Sequence, residues 1–126
     1  MEWLWLVGRA VFGIYFLYSG LMHFIQFQNM KQYASYKGIP ASGAAVAITG
    51  LMLLAGGLSI LTGFWTQIGL LLLAIFLVVA AFSIHNFWTV DDQTAKMGEM
   101  TQFTKNVALA AAALMMLAIS DWSWTV

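Results

Sequence analysis

The sequence predicts an all-α integral membrane protein, built as an antiparallel bundle of four transmembrane helices. Of the 126 residues, 62% are hydrophobic and 8% are charged, whereas soluble domains carry about 25% charged residues. A soluble fold of this length exposes much of its area and could not hide so much apolar surface. Four stretches also approach the roughly 20 apolar residues that a helix needs to cross a bilayer. A lipid bilayer is therefore the expected surrounding.

Composition also excludes several other classes of protein. The formal net charge is zero, and no run of basic residues marks a nucleic-acid partner. The chain contains no cysteine, which excludes disulfides, iron–sulfur clusters, thiolate metal sites and dithiol redox chemistry.

The apolar stretches predict four helices in a single domain that covers residues 1–126. Their expected bounds are 3–24, 43–64, 66–87 and 105–122. Only Trp65 and Thr66 separate the second helix from the third, so these two must form an antiparallel hairpin. The loop 25–42 contains Gly38-Ile39-Pro40, which breaks any helix there, and 26–36 is expected to be a short interfacial helix. The charged loop 88–104 is expected to be aqueous or interfacial.

Tryptophan and lysine positions predict how these helices cross the membrane. Tryptophan favours the interface, and four spans place five of the six tryptophans at one end of the bundle. These five are Trp3, Trp5, Trp65, Trp122 and Trp124. Four of the five basic residues lie at the opposite end, namely Lys31, Lys37, Lys96 and Lys105. Because basic residues mark the cytoplasmic side, the long loops are expected in the cytoplasm and both termini outside.

Polar and small residues share one face on each of three helices, since they recur every three or four positions. On the first helix they are Arg9, Gly13, Phe16, Gly20, His23 and Phe27. On the fourth they are Asn106, Ala110, Ala113, Leu117 and Asp121. We expect Arg9 and Asp121 to form a structural ion pair, the alternative being that Arg9 reaches the interface alone. The stripe Thr49, Met52, Gly56, Ser59 and Gly63 favours tight helix packing over ligand contact.

A polar group at the lysine-rich end is the candidate ligand-binding site, because ionisable groups within spanning segments are functional candidates. Its members are His23, His85, Asn86, Trp88, Lys105 and Asn106. They could hydrogen-bond a quinone headgroup or, less favoured, ligate a haem iron. A metal ion is not expected, because Asp91 or Asp92 would have to fold back to supply a carboxylate. The remaining alternative is that these side chains only cap helix ends.

Several short motifs give the chain a resemblance to a known family. Besides Arg9 they are YSGLMHF at 18–24, GIP at 38–40, TG at 49–50, GGLSILTG at 56–63, HNFW at 85–88 and FTKN at 103–106. In this order and spacing, the chain resembles the DoxX family of small bacterial four-helix membrane proteins. The resemblance implies a location in the bacterial inner membrane, and it carries over Arg9, His85, Lys105 and Asn106 as matching positions.

The resemblance also implies an association with redox metabolism. The family takes its name from a small subunit of a thiosulfate:quinone oxidoreductase, and other members look like membrane partners of soluble redox or stress enzymes. Many relatives carry an acidic residue shortly before the paired glycines of the second helix, where this chain has MLLA at 52–55.

Three functions follow as hypotheses. The leading one is a quinone-linked membrane subunit of a redox complex. The second is a non-catalytic accessory subunit that packs against a larger complex or against copies of itself. The third, a small transporter, is disfavoured because no broken helix carries a charge at mid-membrane. Catalysis by the chain itself is left open.

Overall fold

The computed structural model describes residues 2–125, in which 81% of the chain is helical and no strand occurs. The α-helices are α1 (Glu2–Ile25), α2 (Phe27–Tyr36), α3 (Ser42–Thr62), α4 (Thr66–Ser83) and α5 (Gln93–Met116). One 3₁₀ turn, Phe87–Thr89, lies between α4 and α5. The all-α prediction is therefore confirmed for the described residues.

Within residues 2–125, three segments are long and apolar enough to cross a membrane. They are α1, α3 and Thr66–Thr89, which begins with α4. Helix α5 is not among them, because its first half, QTAKMGEMTQFT, is largely polar. The chain is thus a helical membrane protein with three candidate spans, and a fourth span through α5 stays a prediction.

Glycines bring α1 and α3 into close antiparallel contact. A Cβ atom added at Gly57 would lie 2.7 Å from the backbone nitrogen of Leu17, and one at Gly20 would lie 2.8 Å from that of Leu54. Since real Cβ atoms do not approach backbone so closely, only glycine fits at these positions. This contact holds α1 and α3 side by side, and residues of both helices line a cleft at one end of the molecule.

The predicted face of α1 is confirmed as the buried one. The buried residues of this helix are Arg9, Gly13, Phe16, Gly20 and His23. The predicted face of the last helix is confirmed for Asn106, Ala110 and Ala113. The stripe on α3 is only partly correct, since Gly56 and Ser59 are buried but Thr49 and Met52 are half-buried. The apolar core joins these faces through Phe16, Leu53, Ile60, Leu70 and Leu73.

Helix α5 differs most from its expected bounds, running over Gln93–Met116 instead of 105–122. It starts early because the Asp92 carboxylate caps it, accepting a hydrogen bond from the Ala95 backbone at 2.9 Å. It ends early because the backbone tightens into i→i+3 hydrogen bonds over residues 114–119. Helix α4 also stops at Ser83 rather than 87, while α1 and α3 lie within two residues of their expected bounds.

The chain between α1 and α3 contains the expected short helix. Helix α2 ends at Tyr36, and the chain turns through Gly38, whose φ of +84° suits glycine. The hydroxyl groups of Ser35 and Ser42 then lie 2.6 Å apart, so that α2 is fastened to the start of α3. The helix itself is confirmed, and its position at the membrane interface stays a prediction.

The side chain of Arg9 is held by backbone carbonyl groups at the tryptophan-rich end. It is 2% exposed, and its Nε donates to the Ile60 carbonyl at 2.7 Å. Its terminal nitrogens donate to the carbonyls of Leu61 and Trp122. The guanidinium also lies over the Trp124 ring, 4.0 Å from its centroid. The segment after α5 is thereby tied to α1 and α3.

Asp121 does not contact Arg9 directly. Within the described residues, no carboxylate lies within 4.0 Å of the guanidinium. Asp121 is exposed, and its Oδ1 accepts a hydrogen bond from the Ser123 backbone at 3.0 Å. Hydrogen bonds from Ser123, followed by the attraction of Arg9, lower the pKa of Asp121. The expected ion pair is therefore replaced by carbonyl acceptors, which a guanidinium with five donors can bind several at a time.

Candidate functional site

A partly open cleft of about 230 Å³ lies beside α1 and α5, near the end of the molecule where α1 stops. It brings together four of the six expected site residues, His23, His85, Lys105 and Asn106. Pockets for drug-sized ligands have volumes of about 300–1,000 Å³. A cleft of this size admits a single ring rather than a porphyrin, which disfavours haem.

His23 enters the cleft from the last turn of α1. Its Nδ1 lies 2.8 Å from the Ser19 carbonyl oxygen. Because a carbonyl can only accept, Nδ1 must carry the proton, and the neutral ring then presents Nε2 as an acceptor. The ring packs edge-on against Phe76, with centroids 5.8 Å apart. Nε2 has no partner among the described residues.

Asn106 enters the same cleft from α5, and its side-chain amide has no hydrogen-bond partner within residues 2–125. The residue is 5% exposed. In residues 2–125, no fully enclosed side-chain nitrogen or oxygen lacks a partner, so the amide must keep some accessible surface. Since Asn106 lines the cleft, that surface opens into it. A ligand in the cleft could therefore pair with this amide, since a buried amide gains free energy from each hydrogen bond it makes.

His85 is held in place by Glu99, which the sequence interpretation missed. The Nδ1 of His85 lies 3.0 Å from Oε2 of Glu99. The Tyr33 hydroxyl donates to Oε1 of the same carboxylate at 2.9 Å. Partial burial and this hydrogen bond raise the pKa of Tyr33 to about 12, so it remains a donor at neutral pH. Both oxygens of Glu99 therefore have hydrogen-bond partners, His85 on one side and Tyr33 on the other.

Glu99 was not predicted as a site residue, because the sequence indicates a loop over residues 88–104. In the structure it lies on α5, seven residues before Asn106. Residues two helical turns apart share a face, so this spacing would have identified it had the helix been started at Gln93. The expectation that no helix carries a carboxylate at this level, so that Asp91 or Asp92 would have to fold back, was therefore wrong.

The other expected site residues lie at the mouth of the cleft or away from it. The Nζ of Lys105 lies 2.7 Å from the side-chain oxygen of Gln102 and 3.3 Å from the Tyr15 hydroxyl, at the mouth. Asn86 turns away and accepts from Nζ of Lys37 at 2.8 Å. Trp88 belongs to a separate, half-exposed aromatic cluster whose other members are Phe82, Phe87 and Phe103.

The floor of the cleft is apolar. Leu53 and Leu77 are buried there, and Leu53 lies in the MLLA stretch where many relatives of the resembled family carry an acid. Within residues 2–125, no three histidine, aspartate or glutamate side chains are grouped so as to hold a metal ion. The cleft thus combines an apolar floor with two imidazoles, an amide and an ammonium group.

These features define a small helical membrane protein with a polar, ring-sized cleft near one end. The chain belongs to the DoxX family, whose model matches residues 4–86. That range covers α1 to α4 and ends just after His85, so α5 with Glu99 and Asn106 lies beyond it. No curated protein and no solved structure matches the chain.

Proposed function

We propose that this chain is a quinone-linked membrane subunit that binds a quinone headgroup in the cleft beside α1 and α5. The observation that carries the proposal is Asn106, a buried residue that lines the cleft and whose amide has no hydrogen-bond partner within residues 2–125. The acceptor Nε2 of His23 lies in the same cleft without a partner. A flat six-membered ring that carries two oxygens suits a ring-sized space with an apolar floor and a few polar groups.

The chain's own residues would bind and orient the headgroup. Leu53, Leu77 and Phe76 would contact the ring faces. Asn106 could donate to a carbonyl oxygen of the headgroup, and the two imidazoles could accept from its hydroxyl groups in the reduced state. Lys105 and Tyr15 line the cleft and are exposed, so the tail of the quinone would leave past them toward the bilayer. Electrons would come from a partner protein, so the role is that of a binding subunit in a redox complex.

The proposal includes a fourth membrane span. The second half of α5, from Asn106 onward, is apolar, and α5 packs along α4. With α1, α3, α4 and α5 all crossing, the molecule is an antiparallel four-helix bundle of the bacterial inner membrane. The long loops would then lie in the cytoplasm, with both termini outside.

Quinone retention tests the proposal. The protein is purified in lipid nanodiscs, and extracted quinone is quantified per chain. We expect about one quinone per wild-type chain and at least about a tenfold loss in Asn106→Leu, which cannot pair with the headgroup. Its melting temperature should stay near wild type, because the amide makes no internal hydrogen bond.

Asn29→Leu is the matched control. Asn29 lies on the exposed surface of α2 and bonds only to Gln26 of the adjoining turn, so its replacement should leave quinone retention unchanged. If wild-type protein carries no quinone but co-purifies in fixed ratio with other subunits or as an oligomer, the quinone proposal is wrong. The accessory-subunit hypothesis would then take its place.

A further inference from the structure

The two imidazoles of the cleft carry their ring proton on the same nitrogen, Nδ1. The position of this proton bears on which redox form of the headgroup they can bind. The Nδ1 of His23 donates to a carbonyl oxygen, and the Nδ1 of His85 donates to the Glu99 carboxylate. Neither of these partners can act as a donor. Each neutral ring is therefore fixed with its Nε2 as an acceptor, and neither Nε2 has a partner in residues 2–125.

We propose that the cleft selects the reduced, hydroquinone form of the headgroup over the quinone form. The inference rests on the proposed function and deepens it by naming the redox state. A hydroquinone carries two hydroxyl donors, which can each meet an imidazole acceptor. A quinone offers only carbonyl acceptors, which would face Nε2 lone pairs with no proton between them.

Asn106 does not discriminate between the two forms. Its amide contains both a carbonyl acceptor and an NH₂ donor, and rotation by half a turn serves either ligand. It therefore contributes to affinity for the headgroup in both states. The Lys105 ammonium already donates to Gln102 and lies near the Tyr15 hydroxyl. Selection therefore depends on His23 and His85, and thus on the two groups that fix their protonated nitrogens.

Glu99 is the positioning residue of this arrangement. It contacts His85 through one oxygen and Tyr33 through the other, so the carboxylate is held from two sides and cannot easily rotate away. The Ser19 carbonyl, one turn before His23 on α1, is part of the helix backbone and equally fixed. The position of the proton on each ring is therefore set by Ser19 and Glu99, without any rearrangement of the cleft.

Ligand binding by the two redox forms tests the inference. Wild-type protein in nanodiscs is titrated anaerobically at pH 8, where imidazoles are ordinarily neutral. The probes are a benzoquinone with a ten-carbon tail and its hydroquinone. We expect the hydroquinone to bind at least about tenfold more tightly, from two added hydrogen bonds. Equal binding, or tighter binding of the quinone, overturns the inference while leaving the proposed function in place. If neither form binds, both fail.

Glu99→Gln tests the positioning role. The Gln amide can donate to Nδ1 of His85, which would move the ring proton to Nε2, so the hydroquinone preference should fall to about threefold or less. Glu2→Gln makes the same chemical change at the far end of α1 and should keep the wild-type preference. Nitrogen-15 NMR of the two labelled histidines reads the tautomers directly. Nδ1–H is expected for both in wild type, and an Nε2–H signal from His85 there would overturn the inference.

Discussion

Arg9 illustrates how a charge is accommodated within a helix that is expected to cross a membrane. The last carbonyl groups of a helix lack partners within it. At the end of α3, the carbonyl groups of Ile60 and Leu61 accept hydrogen bonds from the Arg9 guanidinium instead. The rings of Trp122 and Trp124 cover the cation, which adds a favourable cation–π contact. The charge is thus satisfied by dipoles and aromatic faces rather than by a carboxylate.

Arg9→Met should therefore destabilise the protein strongly. The change removes hydrogen bonds from a charged donor to three carbonyl groups, and we expect a loss of about 2 kcal/mol or more. Thermal unfolding in mild detergent measures it. Arg9→Lys keeps the charge but has no planar fork, so it should recover only part of the lost stability.

Asp121→Leu is the companion change. Because Asp121 is exposed and does not touch Arg9, its replacement should leave the melting temperature near wild type. In the double variant, the two effects should nearly add, because the residues do not touch and only the attraction across solvent links them. A double variant that is clearly more stable than Arg9→Met alone would show that this attraction contributes substantially to stability.

Individual site residues were predictable from sequence where helical spacing alone placed them. His23 shares the three-and-four spacing of Arg9 and Gly20, and Asn106 shares that of Ala110, so both were expected on buried faces. Glu99 was not predictable in this way, because its polar neighbours indicated a loop. Asn86 follows His85 directly in sequence, yet turns to Lys37, since a backbone turn after α4 decides the direction of each side chain.

The α1–α3 contact depends on glycines, and Gly57 provides its sharpest test. A methyl group there would press on the backbone of Leu17, which cannot move as a flexible side chain can. Gly57→Ala should therefore destabilise by about 1–3 kcal/mol, as overpacking does. Unfolding in detergent or denaturant measures the change.

Gly8→Ala is the matched control within α1. A Cβ at Gly8 would meet nothing within 4 Å, and alanine is the better helix former. This variant should be neutral or more stable by up to about 1 kcal/mol. Equal destabilisation by both substitutions would mean that close helix approach is not the reason for glycine at position 57.

The helices differ in how well their ends could be predicted. The ends of α1 and α3 follow from abrupt changes in hydropathy and from Gly63, whose φ is +83°. The start of α5 could not be found by hydropathy, because an N-cap at Asp92 starts the helix within a polar stretch. Its end could not be found either, because the backbone tightens into i→i+3 hydrogen bonds within an apolar stretch.

The number and direction of spans can be tested because the chain contains no cysteine. Single cysteines at Ser123 and Thr94, both exposed, are labelled on intact cells with a maleimide that cannot cross membranes. Four spans with external termini predict labelling of Ser123→Cys, and of Thr94→Cys only after permeabilisation. Wild-type protein is the unlabelled control.

Other labelling patterns would contradict specific parts of this topology. If Thr94→Cys alone reacts from outside, the bundle has four spans in the opposite orientation. If both positions react alike, α5 does not cross the bilayer, and the three candidate spans α1, α3 and Thr66–Thr89 are the full set.

The three carbonyl groups that bind Arg9, those of Ile60, Leu61 and Trp122, have a consequence for membrane insertion. The ribosome delivers Arg9 early, whereas Ile60 follows 51 residues later and Trp122 follows 113 residues later. Until then a nascent α1 carries an uncompensated guanidinium, which is costly to leave among lipid tails. The first segment must therefore wait at the aqueous boundary or beside the insertion machinery until α3 emerges. The third carbonyl partner becomes available only when Trp122 has been synthesised.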